Sequence, residues 1–197
     1  MAAIFETISP GNPLVSAFVA YYYIDLKPDN QLTEIQCFPH YHTTISLYVS
    51  HYRDEHKSAV YREGAKALQI YTPVFKEILH VRQVGRVHRV VIVFKPLGVQ
   101  QFFNDLNFAA LAYKTPFFEP DELEEIFNSP EPSILAGVLD GALLRRYKSF
   151  ESPLLEGALQ CIFDNFQAFS VEQTAQSLQV SRRHLNRSFQ QYFGESV

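Results

Sequence analysis

Apolar and polar residues alternate most clearly in one stretch of the first hundred residues. Within residues 44–50, Ile45, Leu47 and Val49 fall on one side of an extended chain. This period of two is typical of a strand with one buried face. Residues 87–94 are apolar at nearly every position, which indicates a central strand covered on both sides. Weaker β-branched and aromatic clusters lie at residues 18–24, 32–38, 59–62 and 68–71, and together these runs predict a small β-barrel or sandwich.

The apolar spacing becomes helical after residues 95–98. Val99, Phe102, Phe103 and Leu106 recur at helical spacing, and residues 121–127 predict a short helix with acids in its first turn. Two longer apolar stripes follow. The first comprises Ile134, Leu135, Val138, Leu139, Ala142 and Leu143, and the second comprises Leu154, Leu155, Ala158, Leu159, Ile162, Phe163 and Phe166. Strands followed by helices predict an α+β fold.

Composition favours a globular protein. The chain has 197 residues, of which 47% are hydrophobic and 19% charged, so it can bury a sizeable core. It has no basic, apolar leader pattern, and no stretch reaches the roughly eighteen apolar residues that a membrane span needs. We therefore expect a soluble, cytoplasmic protein without a membrane partner. Cys37 and Cys161 are expected to be buried free thiols.

Charge is distributed unevenly along the chain. Residues 170–197 contain three Arg and two Glu and so carry +1, whereas the other 14 basic and 19 acidic residues sum to −5, which gives the net charge of −4. A surface that binds nucleic acid would therefore have to be local and C-terminal.

The strongest local motif lies in residues 169–189, where two short helices can be drawn with a break at residues 178–180. Ser170 and Ser181 are typical N-terminal caps for them. Ala175 is small enough to let two crossing helices approach closely. Leu178, Val180, Leu185 and Phe189 can form a small core between them. The amphipathic helix at residues 153–166 would cover that core, which predicts a three-helix helix-turn-helix unit.

The second of these helices has an inward face and an outward face. Leu185 and Phe189 point inward. Four polar residues follow the spacing of the outward face: Arg183, Asn186, Arg187 and Gln190. Arg suits guanine and Asn suits adenine in the major groove, which admits an α-helix. Arg182 and the N-terminal amides of the helix suit phosphates. The alternative is a solvated face whose arginines only keep the protein soluble.

The whole motif resembles the first helix-turn-helix of the AraC/XylS family of bacterial transcription regulators. The family pattern Ser-x-x-x-Leu-x-Arg-x-Phe, followed by an aromatic or acidic turn and Gly, is matched in this chain. The matching residues are Ser181, Leu185, Arg187, Phe189, Phe193 and Gly194. By position, the resemblance assigns base reading to Arg183, Asn186 and Arg187. It places Ser181 and Arg182 at the entry to the groove.

The resemblance also implies a division of the chain. Residues 94–98, which lead into a Phe-rich helix, are similar more loosely to regulators with an N-terminal β domain. A cupin-like sensory domain is implied at residues 1–115, a proline-punctuated helical linker with possible dimerisation at 116–150, and the first helix-turn-helix at 151–197. The implied function is effector-responsive transcription regulation. The implied partners are double-stranded DNA through its major groove, an unidentified small-molecule effector, a second copy of the chain and, for an activator, RNA polymerase.

Two features depart from the family pattern. Gln179 occupies the turn position where the family commonly has Gly, and a positive φ there would cost about 1 kcal/mol. The family's DNA-binding region also continues through a long helix into a second helix-turn-helix, whereas this sequence ends at residues 194–197. We therefore expect this chain alone to bind DNA weakly and with little sequence discrimination.

Histidines raise the alternative of a metal site. His40 and His42 form a His-x-His motif before a strand, which is how metal-binding cupins begin their site. No Glu follows His42 within a few residues, and His80 and His88 have no nearby carboxylate in sequence. We expect no metal, no cofactor and no catalytic site, and hence no enzyme. The alternative left open is a metal-dependent cupin enzyme or a small-molecule-binding protein that uses the N-terminal barrel.

The apolar stripe within residues 134–143 has two interpretations. It is favoured as a core helix. If it were partly exposed it would form a dimer surface, and Leu139→Asp would then dissociate the dimer.

Overall fold

The computed structural model describes residues 3–103, 106, 108, 116–129 and 131–197. The described strands are β1 (Ile4–Ile8), β2 (Val19–Lys27), β3 (Leu32–Cys37), β4 (Thr43–Tyr48), β5 (His51–Arg53), β6 (Ala59–Tyr61), β7 (Leu68–Thr72), β8 (Leu79–Val84) and β9 (Val87–Phe94). The described helices are α1 (Pro13–Phe18), α2 (Pro120–Phe127), α3 (Pro132–Leu144), α4 (Pro153–Asp164), α5 (Val171–Ser177) and α6 (Arg182–Phe193). The expected α+β class is confirmed.

The described strands form two sheets and no closed barrel. The first sheet has the order β1-β2-β9-β4-β7 and the second has the order β3-β8-β6-β5. Their pairings are antiparallel except for β6 with β8. A barrel, one of the two forms expected from the sequence, is therefore wrong for these residues. The reason is that, among the described residues, each sheet ends in unpaired edge strands. These are β1 and β7 in the first sheet and β3 and β5 in the second.

The two strands with the clearest sequence patterns are confirmed. β9 lies in the middle of the first sheet, and Val90, Val91 and Ile92 on it are fully buried. β4 buries Ile45 and Leu47 as expected, but Ser46 and Tyr48 on its other face are buried as well, so the expected single buried face is wrong. The reason is that the second sheet covers that face, where Gln83 of β8 donates to the Tyr48 hydroxyl. The four weaker candidates appear as β2, β3, β6 and β7.

One face of the first sheet packs against helices and forms the main core. Side chains of β4 and β9, such as Ile45 and Ile92, meet Val15 of α1, Ile126 of α2 and Leu139 of α3 in one apolar cluster. Each large apolar side chain buried in this way stabilises the fold by roughly 1.5–3 kcal/mol. The helices therefore hold the first sheet from one side.

Helix α3 is a core helix, as the favoured interpretation of its stripe predicts. Leu135, Leu139 and Leu143 are fully buried, whereas Ile134 at its start is exposed. Leu139→Asp would place a carboxylate in this core and would unfold the chain, not dissociate a dimer. The buried members of the stripe are therefore not available as a dimer surface in this packing, whereas Ile134 is exposed and Val138 half-buried.

Residues 116–150, expected to be a helical linker, contain helices α2 and α3. Pro120 and Pro132 occupy the first turns of α2 and α3, where a missing N–H is tolerated. The Glu119 N–H donates to Glu122 Oε2 at 3.0 Å and closes a capping box on α2. The helical stretch expected after Gly98 is seen as a 3₁₀ turn at Val99–Gln101, and its continuation at 104–105, 107 and 109–115, like Pro130, lies outside the described residues.

Polar groups lie between the two sheets. Arg89 of β9 donates to Asp25 of β2 at 3.0 Å, and both side chains are almost fully buried. Gln83 of β8 donates to the Tyr48 hydroxyl of β4 at 3.4 Å, which links the second sheet to the first. The Gln83–Tyr48 contact joins the two sheets, whereas the Arg89–Asp25 pair joins two strands of the first sheet.

The two cysteines are less buried than the sequence predicted. Cys37 and Cys161 are free, but each is half-buried where burial was expected. Cys37 ends the edge strand β3 and Cys161 lies on the flank of α4, so neither reaches a core centre.

Among the described residues, no helix has both the length and the apolar character needed to cross a bilayer.

Candidate nucleic-acid interface

Helices α4, α5 and α6 pack around a second apolar core. Its buried members from these helices are Leu155, Ala158, Ala175, Leu185, Phe189 and Phe193. The inward face expected for Leu185 and Phe189 is therefore confirmed. The stripe expected on α4 is only partly buried, because Phe163 is 50% exposed and Phe166 lies beyond the helix end and is 81% exposed. These three helices are called the three-helix unit below.

The serine caps predicted from the sequence are present. Ser170 Oγ accepts a hydrogen bond from the Gln173 N–H at 3.4 Å, and Ser181 Oγ accepts one from the His184 N–H at 3.2 Å. Each cap satisfies a backbone donor that a helix start would otherwise leave unpaired. Ser181 therefore fixes the point at which α6 begins.

The turn between α5 and α6 contains a residue, Gln179, in a backbone conformation that favours glycine, as the sequence predicted. Gln179 has a φ of 55°, in the left-handed region. The Val180 N–H then donates to Ala175 O at 3.0 Å and closes the turn. A non-glycine residue in this region is strained by about 1 kcal/mol. The turn angle is thus kept despite the unfavourable residue.

A close approach of α4 to the turn explains why small residues lie there. A Cβ added to Gly157 would lie 2.7 Å from Leu178 Cδ2. Ala175 is buried at the crossing of the helices. Larger side chains at these points would push the helices apart and disturb the direction of α6.

The outward face of α6 brings the predicted binding residues together. Arg183, Arg187 and Gln190 are exposed and Asn186 is half-buried. These four side chains and Arg182 line a shallow concavity of about 600 Å³. Ser181 lines a neighbouring hollow with Arg183 and Arg187. All six residues that the sequence singled out therefore lie along one side of α6 and at its start.

His184 is a member of this surface that the sequence interpretation missed. Arg187 Nη2 donates to His184 Nδ1 at 3.2 Å. The two residues are three positions apart, a spacing at which helical side chains meet, so the spacing itself could have indicated the contact. This exposed contact places the Arg187 guanidinium beside the His184 ring.

The electrostatic character of this surface is positive. Helix α6 carries three arginines and no Asp or Glu. The acid recorded in contact with it is Glu172 of α5, whose Oε2 lies 3.8 Å from Arg182 Nη1 in an exposed pair. Exposed pairs of this kind contribute little. The partial positive charge of the α6 N-terminus adds to the field of the arginines. The surface is suited to an anion-rich partner.

The His-x-His motif lies on the surface near α4. The rings of His40 and His42 are 5.9 Å apart between centroids, and Tyr41 between them packs edge-on against Phe163. Partial burial and the nearby His40 lower the pKa of His42. Among the described residues, no three His, Cys, Asp or Glu side chains are grouped so that they could hold a metal ion.

Comparison with known proteins does not identify a family for this chain. The chain matches no protein-family model, and neither the curated proteins nor the solved structures contain a match to it.

Proposed function

We propose that the chain is an AraC-type transcription regulator that binds double-stranded DNA by placing α6 in the major groove. In this proposal Arg183, Asn186 and Arg187 face base edges, and Gln190 extends the same face. Ser181 and Arg182 lie at the phosphates that border the groove. The observation that carries the proposal is the convergence of these side chains on one open face of a capped helix that a buried core holds rigidly.

The dimensions of α6 support this docking. Its 12 residues span about 18 Å, and Arg183 and Arg187 lie about 6 Å apart along the axis. The major groove is about 12 Å wide and admits a helix. Two arginines at that separation reach neighbouring base pairs. Arg187 also donates to His184, a further polar side chain near the same face.

The other parts of the proposal concern the two-sheet region. It would act as the sensory domain for a small-molecule effector, and a second copy of the chain and RNA polymerase would be further partners. In this proposal the chain is not an enzyme and needs no metal or cofactor. The effector, the second copy and the polymerase stay predictions.

A titration of labelled duplexes with a randomised core tests the proposal. Fluorescence anisotropy is measured at low salt, because salt weakens contacts to phosphates. A bidentate contact to a base is worth about 1–3 kcal/mol where the matching base is present, so in the randomised pool Arg183→Ala and Arg187→Ala should each reduce affinity by about fivefold, the lower end of that range.

Arg82→Ala is the matched control for these variants. Arg82 is an exposed arginine of β8 paired with Glu34, so its replacement removes one positive charge outside the three-helix unit. The proposal predicts that this variant binds nearly as well as the unchanged chain. Equal losses in all three variants would show a nonspecific charge effect, and an unchanged chain without saturable binding would overturn the proposal.

A further inference from the structure

Two adjacent glutamines outside the three-helix unit hold the C-terminal turn of α6. Gln100 is almost fully buried, and its Nε2 donates to the Tyr192 carbonyl at 2.9 Å. Gln101 Nε2 donates to the Phe150 carbonyl at 2.8 Å, and Gln101 Oε1 accepts from the Phe150 N–H at 3.0 Å. The Phe150 ring in turn packs against the Tyr192 ring, with centroids 5.2 Å apart. Both glutamines therefore act on the same turn of α6.

Leu97 adds an apolar contact beside these hydrogen bonds. It is 7% exposed and belongs to the core of the three-helix unit, together with Phe189 and Phe193. Its φ is 60°, so the backbone holds a left-handed conformation that leucine disfavours. The strain is retained because the surrounding packing fixes the residue.

The turn that carries Leu97 is itself fixed to the first sheet. A Cβ added to Gly98 would lie 2.1 Å from the Phe18 carbonyl oxygen, so the turn is pressed against the junction of α1 and β2. The Lys95 N–H donates to the same carbonyl at 2.9 Å. The turn also follows directly from β9, the middle strand of the first sheet. Movement of this strand would therefore displace residues 97–101.

We infer that Leu97, Gln100 and Gln101 are positioning residues for DNA recognition, which set the orientation of α6 relative to the first sheet. This inference rests on the proposed function of α6. The three residues, called the docking segment below, hold the end of α6 that contains Tyr192. Arg183 and Arg187 lie towards the other end and stay exposed. The docking segment thus orients the helix without covering the face that meets DNA.

Gln100→Glu is the variant that tests the inference. The substitution keeps the side-chain size, removes the N–H donor and places a negative charge at the carbonyl end of a helix, where it is repelled. Gln69→Glu is the matched control. Gln69 Nε2 also donates to a backbone carbonyl, that of Phe118, at 2.9 Å, but it lies on β7 away from the three-helix unit.

Two readouts are taken on the full chain. Hydrogen exchange reports the opening of the last turn of α6, and the anisotropy titration with the randomised duplexes reports DNA affinity. In Gln100→Glu we expect exchange of the amides at 190–194 to accelerate at least about tenfold, since opening of this turn loses a buried contact, and the affinity to fall several-fold. In Gln69→Glu we expect both to stay unchanged. The Phe117 and Phe118 N–H groups, which donate to Gln69 Oε1 at 3.0 Å, keep a carboxylate oxygen as acceptor and should not exchange faster.

The outcomes separate the inference from the proposed function. Unchanged exchange of α6 in Gln100→Glu overturns the inference, and so does an equal loss of affinity in both variants, which would show a general loss of stability. If neither the unchanged chain nor any variant binds DNA, the proposed function is overturned. In that case, faster exchange confined to α6 in Gln100→Glu would still show that Gln100 holds the last turn of α6. Should Gln100→Glu fail to fold, Leu97→Ala makes the same test, because it removes the apolar contact without adding charge.

Discussion

The Tyr22 hydroxyl of β2 donates to Asp140 Oδ1 of α3 at 2.6 Å and joins the first sheet to the helix that covers it. The other carboxylate oxygen of Asp140 accepts from the N–H groups of Gly11 and Asn12 at 2.8 and 2.7 Å. Burial and the Asp140 carboxylate raise the pKa of Tyr22 above its usual range. One buried carboxylate thus ties together β2, α3 and the chain before α1.

Tyr22→Phe tests the contribution of this bond. A hydrogen bond to a charged group contributes about 1.5–3 kcal/mol, so the free energy of unfolding should fall by about that amount. Tyr21→Phe is the control, because Tyr21 is 39% exposed and its change should alter stability by less than about 0.5 kcal/mol. Chemical denaturation measures both variants. Equal losses in the two variants would show that the hydrogen bond to Asp140 adds no more stability than the exposed Tyr21 hydroxyl.

The left-handed conformation of Gln179 predicts a stabilising substitution. Gln179→Gly should raise the free energy of unfolding by about 1 kcal/mol, because glycine adopts a φ of 55° without steric strain. The same change at Gln176, an exposed residue within α5, should lower it by about 0.5–1 kcal/mol. Thermal unfolding compares the two variants. A loss of stability in both would contradict the assigned turn conformation.

Glu122 predicts a loss of stability in acid. Hydrogen bonds from Arg146 lower the pKa of Glu122 to about 2, from 4.5 in an unfolded chain. Because the folded state holds the charged form, its stabilising effect is present above pH 4.5 and is lost as the pH falls towards 2. Glu122→Gln should flatten the decline of the unfolding free energy in that window. Glu124→Gln, an exposed change on the same helix, should leave the decline in place.

Two histidines, His51, which is buried, and His88, which is half-buried, predict a second decline at milder pH. Burial lowers the pKa values of His51 and His88, and each also lies near a positive or titrating neighbour. Since the folded state keeps them neutral, the unfolded state takes up protons first, and the unfolding free energy falls as the pH drops below 6.5. His88→Gln should reduce this fall, whereas His56→Gln, at an exposed site, should not. Equal pH profiles would contradict the burial of His88.

The sequence predicted those elements whose burial repeats regularly. β4 and β9 follow from their apolar patterns, and the caps Ser170 and Ser181 follow from hydroxyl groups placed before helical runs. The six residues of the α6 surface could be predicted because helical spacing alone places them on one side. Their role in DNA binding stays a prediction.

Elements without a regular apolar pattern could not be predicted. β1 is an edge strand with four exposed residues in succession, and β8 buries the polar Gln83 in the place of an apolar residue. Asn12 before Pro13 is a cap signal that could have revealed α1. The docking segment was missed because Gln100 and Gln101 are polar in sequence, and only the tertiary fold shows that both are buried.

The salt dependence of duplex binding tests the central claim most directly. The logarithm of affinity should fall linearly with the logarithm of salt concentration, by about 0.9 for each phosphate contacted. Arg182→Ala should reduce that slope by about 1, because this residue is assigned to a phosphate, whereas Arg82→Ala should leave it unchanged. Affinity that does not respond to salt, or identical slopes for the unchanged chain and Arg182→Ala, would contradict DNA recognition by α6.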